Sequence, residues 1–98
     1  MTQFDVYHIV GQGLVVDCLN DLFDDLGSRI VAPLREPEDP AVSRSRLNPL
    51  VTLDGESYRV ATQFLRAVYA RRLTDRVGSL RHHEYDIKGA IDLLISGF

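Results

Sequence analysis

The clearest helical periodicity in this chain lies at its very end. Between Glu84 and Phe98, the residues Ile87, Ala90, Ile91, Leu94 and Ile95 recur at the spacing that lines one face of a helix. Glu84 and Asp86 stand in the first turn, where acidic side chains oppose the positive end of the helix dipole. Gly97 supplies a stop one residue before the terminus. Gly89, in the interior, costs about 1 kcal/mol against alanine. It marks either a close backbone approach or a tolerated glycine. Phe98 follows the stop and is expected to carry the terminal carboxylate. Two readings stand for it: the ring folds back onto its own core, or Leu93, Ile95, Ser96, Gly97 and Phe98 form a tip that meets another protein.

Before this helix the chain reads mostly as short strands joined by turns and loops. Phe4–Ile9 alternates apolar and polar positions, as a half-buried strand does. Gly11-Gln12-Gly13 turns the chain, and Leu14–Leu19 returns antiparallel. Cys18 is expected in that strand as a small apolar residue. Asn20–Gly27 is an acidic loop or short helical turn carrying Leu22 and Phe23, of which at least one is expected near solvent. Ser28–Leu34 is a third strand, closed by Pro33. Arg35–Asn48, with Pro37 and Pro40, is a surface excursion with room for a helical turn near Ala41–Ser45. Pro49–Leu53 and Glu56–Thr62 flank Asp54-Gly55, the strongest hairpin signal in the sequence. Gln63–Thr74 fits a helix and a bent strand equally well. Asp75–His83, broken at Gly78-Ser79, leads into the helix. The sum is about six strands and one C-terminal helix in a single domain: mainly β, a small antiparallel sheet or partly open barrel with the helix packed on it.

Composition narrows the function. With 98 residues and a net charge of −3, the chain lacks the overall basicity of a duplex-binding protein. Its single cysteine permits no internal disulfide. No secretory signal or membrane-length apolar run is present, so a cytoplasmic location is expected and no membrane partner. His82-His83 are adjacent and share neither a helix face nor a strand face, so they make a poor metal pair. The acidic loop lacks the glycine and closing glutamate of a calcium loop. No cofactor and no metal is expected. Arg66, Arg71, Arg72, Arg76 and Arg81 form a basic stretch that reads as a solvated face, as a landing site for an acidic partner, or as an RNA contact.

Several segments, in order and spacing, resemble the CcdB family of toxins from toxin–antitoxin modules. They are Gln3-Phe4-Asp5-Val6-Tyr7, Gly27-Ser28-Arg29-Ile30-Val31-Ala32-Pro33-Leu34 and Asp54-Gly55-Glu56-Ser57-Tyr58-Arg59. At the end they are Leu80, His82, Glu84, Asp86-Ile87-Lys88, Ala90-Ile91, Leu93 and Gly97. The resemblance runs nearly end to end. It implies an SH3-like barrel-type sheet, a homodimer, and a protein that acts by binding rather than as an enzyme. Its target would be the A subunit of DNA gyrase, trapped in its cleaved complex with DNA. A CcdA-like antitoxin would neutralise it, and operator DNA would be bound only through the toxin–antitoxin complex, which represses its own operon.

By the same resemblance, gyrase contact falls on Leu22 and Phe23 and on Asp92, Ile95, Ser96, Gly97 and Phe98. Ile91 and Leu94, on the apolar helix face, are expected at the dimer interface. One departure stands out: Ser96 occupies the place of a family tryptophan, and the chain has no tryptophan at all. Two alternatives remain open. One is an endoribonuclease of the related MazF/Kid type, for which His8, Asp17 and Arg29 are candidate residues although nothing in their spacing selects them. The other is a member that binds antitoxin and no longer poisons gyrase.

Overall fold

A computed structural model describes residues 1–98. Seven antiparallel strands curl into a half-barrel, and one helix packs on it. The strands are β1 (Asp5–Ile9), β2 (Gly13–Asp17), β3 (Ser28–Arg35), β4 (Leu50–Leu53), β5 (Glu56–Val60), β6 (Arg66–Tyr69) and β7 (Arg76–Ser79). The helix α1 spans Glu84–Ser96. The sheet order is β4-β5-β3-β2-β1-β7, with β6 pairing β3 off this path.

The curl follows from β3. One edge of this strand pairs with β2 through Val31, Ala32 and Pro33. The other edge is divided: Ser28–Val31 pair with β6, and Leu34–Arg35 pair with β5. The chain therefore bends at the junction, and one strand serves two sheets. Pro33 was expected to close the strand but lies inside it. Its carbonyl accepts from Ala61 N–H on the divided edge, so its missing N–H also faces that edge, at the gap between β6 and β5. The acceptor opposite, Ala61 O, is taken instead by Phe64 N–H, so the missing donor leaves no carbonyl unsatisfied.

The main core forms where the two sheets face each other under the helix. Val6, Val16 and Ala32 share a face by register, and Phe4, Leu34, Val51, Val60, Leu80 and Ile87 close around them. The other face of the larger sheet buries Tyr7, Ile9, Val15, Val31 and Leu73. Asp54 and Gly55 both take positive φ (50° and 80°), as a two-residue hairpin turn requires. Phe4 also has positive φ (73°), unusual for a bulky residue. It is held by Phe4 N–H to Asp17 O and Leu80 N–H to Phe4 O, and by complete burial of the ring.

Three further expectations are corrected. Gln63–Thr74 is neither one helix nor one strand: short 3-10 turns at Thr62–Phe64 and Ala70–Arg72 flank β6. The lead-in Asp75–His83 contains a strand, β7, which brings the total to seven. Gly78 in β7 passes so close to β4 that a Cβ there would lie 2.6 Å from Leu53 Cδ1. Cys18 lies just past β2, half-buried, and burial pushes its thiol up to about 12, which keeps it protonated and unreactive.

Candidate functional site

The helix outruns the core. Ile87 and Ala90 are buried, and Ile91 and Leu93 are half-buried. From Leu94 onward the apolar stripe projects into solvent: Ile95 is 74% exposed and Phe98 86%. Phe98 does not fold back onto the domain. Gly97, at φ 80°, caps the helix by donating its N–H to Leu93 O at 2.9 Å. That bond ties Gly97 to the last helical turn. Asp92 and Ser96 are exposed on the same last turns. Gly89 makes no close approach, since a Cβ there would meet nothing within 4 Å.

Leu22 and Phe23 both face solvent, Leu22 at 82%. They ride on a 3-10 turn, Asp21–Leu26, that is pinned at several points. Asn20 Oδ1 accepts Leu22 N–H at 2.9 Å, and Asp21 Oδ1 accepts Gln3 N–H at 2.8 Å. Gly27 ends the turn in the left-handed region. Asp21 also lies 3.9 Å from Arg81, just before the helix begins. The loop thus sits beside the start of α1, whereas the tip lies about 20 Å along it at 1.5 Å per residue. Within one chain no hydrogen bond or ion pair joins the two halves of the expected contact surface. Of the expected interface pair, Ile91 packs partly against its own core, and Leu94 is the more open.

Of the three residues considered for nuclease chemistry, Arg29 and Asp17 meet in the interior rather than in a groove, and His8 stands apart. Arg29 and Asp17 are fully buried. Arg29 Nε donates to Asp17 Oδ2 at 2.8 Å, Nη2 lies 2.7 Å from the same oxygen, and Nη1 donates to Asp24 Oδ1 at 2.7 Å. Burial works against the guanidinium charge, but the Asp17 hydrogen bond and the two carboxylates raise its pKa overall. Burial pushes the Asp17 carboxyl up, against the Arg29 hydrogen bond. His8 faces Leu14 toward the other end of the β1–β2 ladder and reaches Asp75 at 3.9 Å.

The arginine stretch is largely exposed, and its members divide between different partners. Arg76 reaches buried Asp5 at 3.2 Å, and Arg81 lies near Asp21 and Glu84. Arg66 donates to Gln12, and Arg71 stacks on the Tyr69 ring with 4.6 Å to its centroid. Sequence reading missed Tyr69 as a surface group, and its signal was an aromatic residue flanked by arginines. It also missed His83 as a structural acceptor. His83 Nε2 takes the Thr52 N–H of β4 at 3.1 Å, a role no local pattern announces.

A model of the CcdB family, described as CcdB protein, matches residues 3–97. The chain belongs to the CcdB family. This places it on the toxin side of toxin–antitoxin systems. Among solved structures, it is similar to an endoribonuclease in complex with its cognate antitoxin from a mycobacterial species. The TM-score is 0.81 at 12% identity, covering 98% of this chain and 95% of that one. It is also similar to an endoribonuclease from a mycobacterial species, with a TM-score of 0.74 at 13% identity, covering 98% and 91%. At such identities these likenesses speak for a shared fold. No helix of the CcdB-family chain is long and apolar enough to cross a membrane.

Proposed function

We propose that this CcdB-family chain is the toxin of a toxin–antitoxin pair, acting by binding the A subunit of DNA gyrase and trapping the enzyme's cleaved complex with DNA. The observation that carries this reading is the apolar helix end, with Ile95 and Phe98 exposed on a turn capped by Gly97. A helix end held by its own hydrogen bond pays little ordering entropy when a partner docks. Phe98, two residues past Ser96, supplies the aromatic anchor that the absent tryptophan would otherwise give. Leu22 and Phe23 add a second exposed apolar element, and Asp92 a polar contact beside the tip. A homodimer, in which Leu94 joins the subunit interface with Ile91 behind it, would display two tips. A CcdA-like antitoxin would cover them and carry the complex to operator DNA. No cofactor enters this mechanism. Gyrase–DNA cleavage complexes should accumulate with the wild type and fall with Phe98→Ala.

The endoribonuclease alternative draws on the shared fold. Its candidate arginine, Arg29, is enclosed by Asp17 and Asp24 and cannot reach a phosphate without leaving them. Binding through the tip is therefore the reading that uses what the surface offers.

A further inference from the structure

Strand β6 leaves one edge of the sheet open. Its only partner is β3. Which of its backbone groups face outward follows from register. Ile30 O accepts Cys18 N–H, so Ile30 points its backbone toward β2. Its partner across the ladder, Ala67, therefore points its N–H and C=O away from β3, and so does Tyr69 two residues on. Ala70 N–H, one residue later, turns back to Gly27 O, in keeping with this alternation. Neither Ala67 nor Tyr69 makes a side-chain hydrogen bond through its backbone, and both residues are exposed, Tyr69 at 61%. The edge is thus a pair of free donor–acceptor sites spaced for one added strand.

Charge decides what kind of strand fits. Arg66, Arg71 and Arg72 surround this edge in a chain whose net charge is −3. Arg66 and Arg72 line a shallow open groove with Gln12, Ser28 and Tyr69. No carboxylate lies within ion-pair distance of these three arginines, whereas Arg76 and Arg81 nearby have acidic partners. A second copy of the chain paired here would bring two such arginine sets together, which like-charge repulsion opposes.

We propose that the β6 edge receives an extended acidic peptide segment by strand addition, with Ala67 and Tyr69 supplying the backbone ladder and Arg66, Arg71 and Arg72 the counter-charge. The surface is separate from the helix tip and does not rest on the gyrase reading. Failure of the gyrase test leaves it standing.

The test uses the full chain and a fluorescent peptide of alternating glutamate with threonine or valine, alongside the same peptide with lysine for glutamate. Ala67→Pro removes an outward donor without touching the β3 ladder, and an edge strand tolerates it. Arg71→Glu with Arg72→Glu reverses the charge. Circular dichroism and melting report that both variants fold. The expected result is saturable binding of the acidic peptide alone. It should weaken about fivefold or more in Ala67→Pro, from the loss of one backbone bond, and about tenfold or more in the charge reversal, with salt sensitivity. Amide exchange at Ala67 and Tyr69 should slow when peptide is bound. Binding unchanged in both folded variants would overturn the proposal, as would no binding at millimolar peptide. Preferential binding of a single-stranded RNA oligomer that is lost in Tyr69→Ala would also overturn it, assigning the edge to base stacking. A monomeric Ala67→Pro variant of a dimeric wild type would assign the edge to a second copy instead.

Discussion

The guanidinium of Arg29 and the carboxylate of Asp17 lie 2.7 Å apart with both side chains shut off from water. Asp24, on the acidic turn, closes the other side of the guanidinium at 2.7 Å. This pair ties β2, β3 and the Leu22–Phe23 loop into one unit, and it removes from the surface the arginine a nuclease reading would want.

Breaking the pair from one side should be severe. Asp17→Leu would leave Arg29 buried with only the half-exposed Asp24, at a cost of about 3–5 kcal/mol. That is a large share of the 5–15 kcal/mol typical of a domain. Asp17→Leu with Arg29→Met should regain most of the loss, because two well-packed apolar groups carry no desolvation penalty. Urea melts of the single and double variants check this. A double variant no better than the single would mean that the charges themselves are required.

His83 gives the fold a pH dependence of known sign. Burial lowers its pKa first, the neighbouring His82 lowers it further, and Asp86 opposes them. The Thr52 N–H bond to Nε2 also requires the unprotonated ring. The folded state therefore binds its proton later than the unfolded chain, whose value is about 6.5. The contribution is complete above about 6.5 and is lost as pH falls through the lower folded value. His83→Ala should cost about 1 kcal/mol in mild alkali, by loss of that bond, and distinctly less in mild acid. Denaturation midpoints across this range provide the comparison, and a pH-independent cost would refute the assignment.

Two glycines should respond oppositely to alanine. At Gly89 a methyl group meets open space on an exposed helix face, so Gly89→Ala should stabilise by about 1 kcal/mol. At Gly78 the same methyl group would strike Leu53 in the core, and Gly78→Ala should destabilise by about 1–3 kcal/mol. Thermal melts of both variants test the packing of β7 against β4.

The sheet and the helix were legible because their signals are local. The apolar run of Phe4–Ile9, the Asp54-Gly55 turn and the three-and-four spacing from Ile87 to Ile95 each specify an element without reference to the rest, although β1 is buried on both faces rather than half-buried as its alternation suggested. β6 and β7 were not legible for the same reason. Arg66–Tyr69 and Arg76–Ser79 are only four residues each, and they become strands by pairing with β3 and β1, which lie far away in sequence. Pro33 misled because a proline usually ends a strand, and only the divided edge of β3 makes room for it. Phe98 was undecided in the sequence because burial depends on whether the core reaches the helix end, and it does not. The Asp17–Arg29 pair left a trace, an arginine inside an apolar run, but its partner was a matter of register.

Leu94 tests the proposed dimer. It is exposed enough to replace without harming the monomer core, unlike Ile91. Leu94→Asp should shift sedimentation from dimer to monomer while the circular dichroism spectrum is kept. A dimer of wild-type affinity would take the helix out of the interface.

Action of the exposed tip on gyrase is read by a cleavage assay with purified gyrase, supercoiled DNA and this protein. The wild type should accumulate cleaved gyrase–DNA complexes. Phe98→Ala should need roughly thirtyfold more protein, as loss of an aromatic anchor worth about 2 kcal/mol implies, while its melting temperature stays near wild type because the ring touches no core. No cleavage complexes at micromolar wild-type protein, or equal potency from Phe98→Ala, would rule out a gyrase-directed tip.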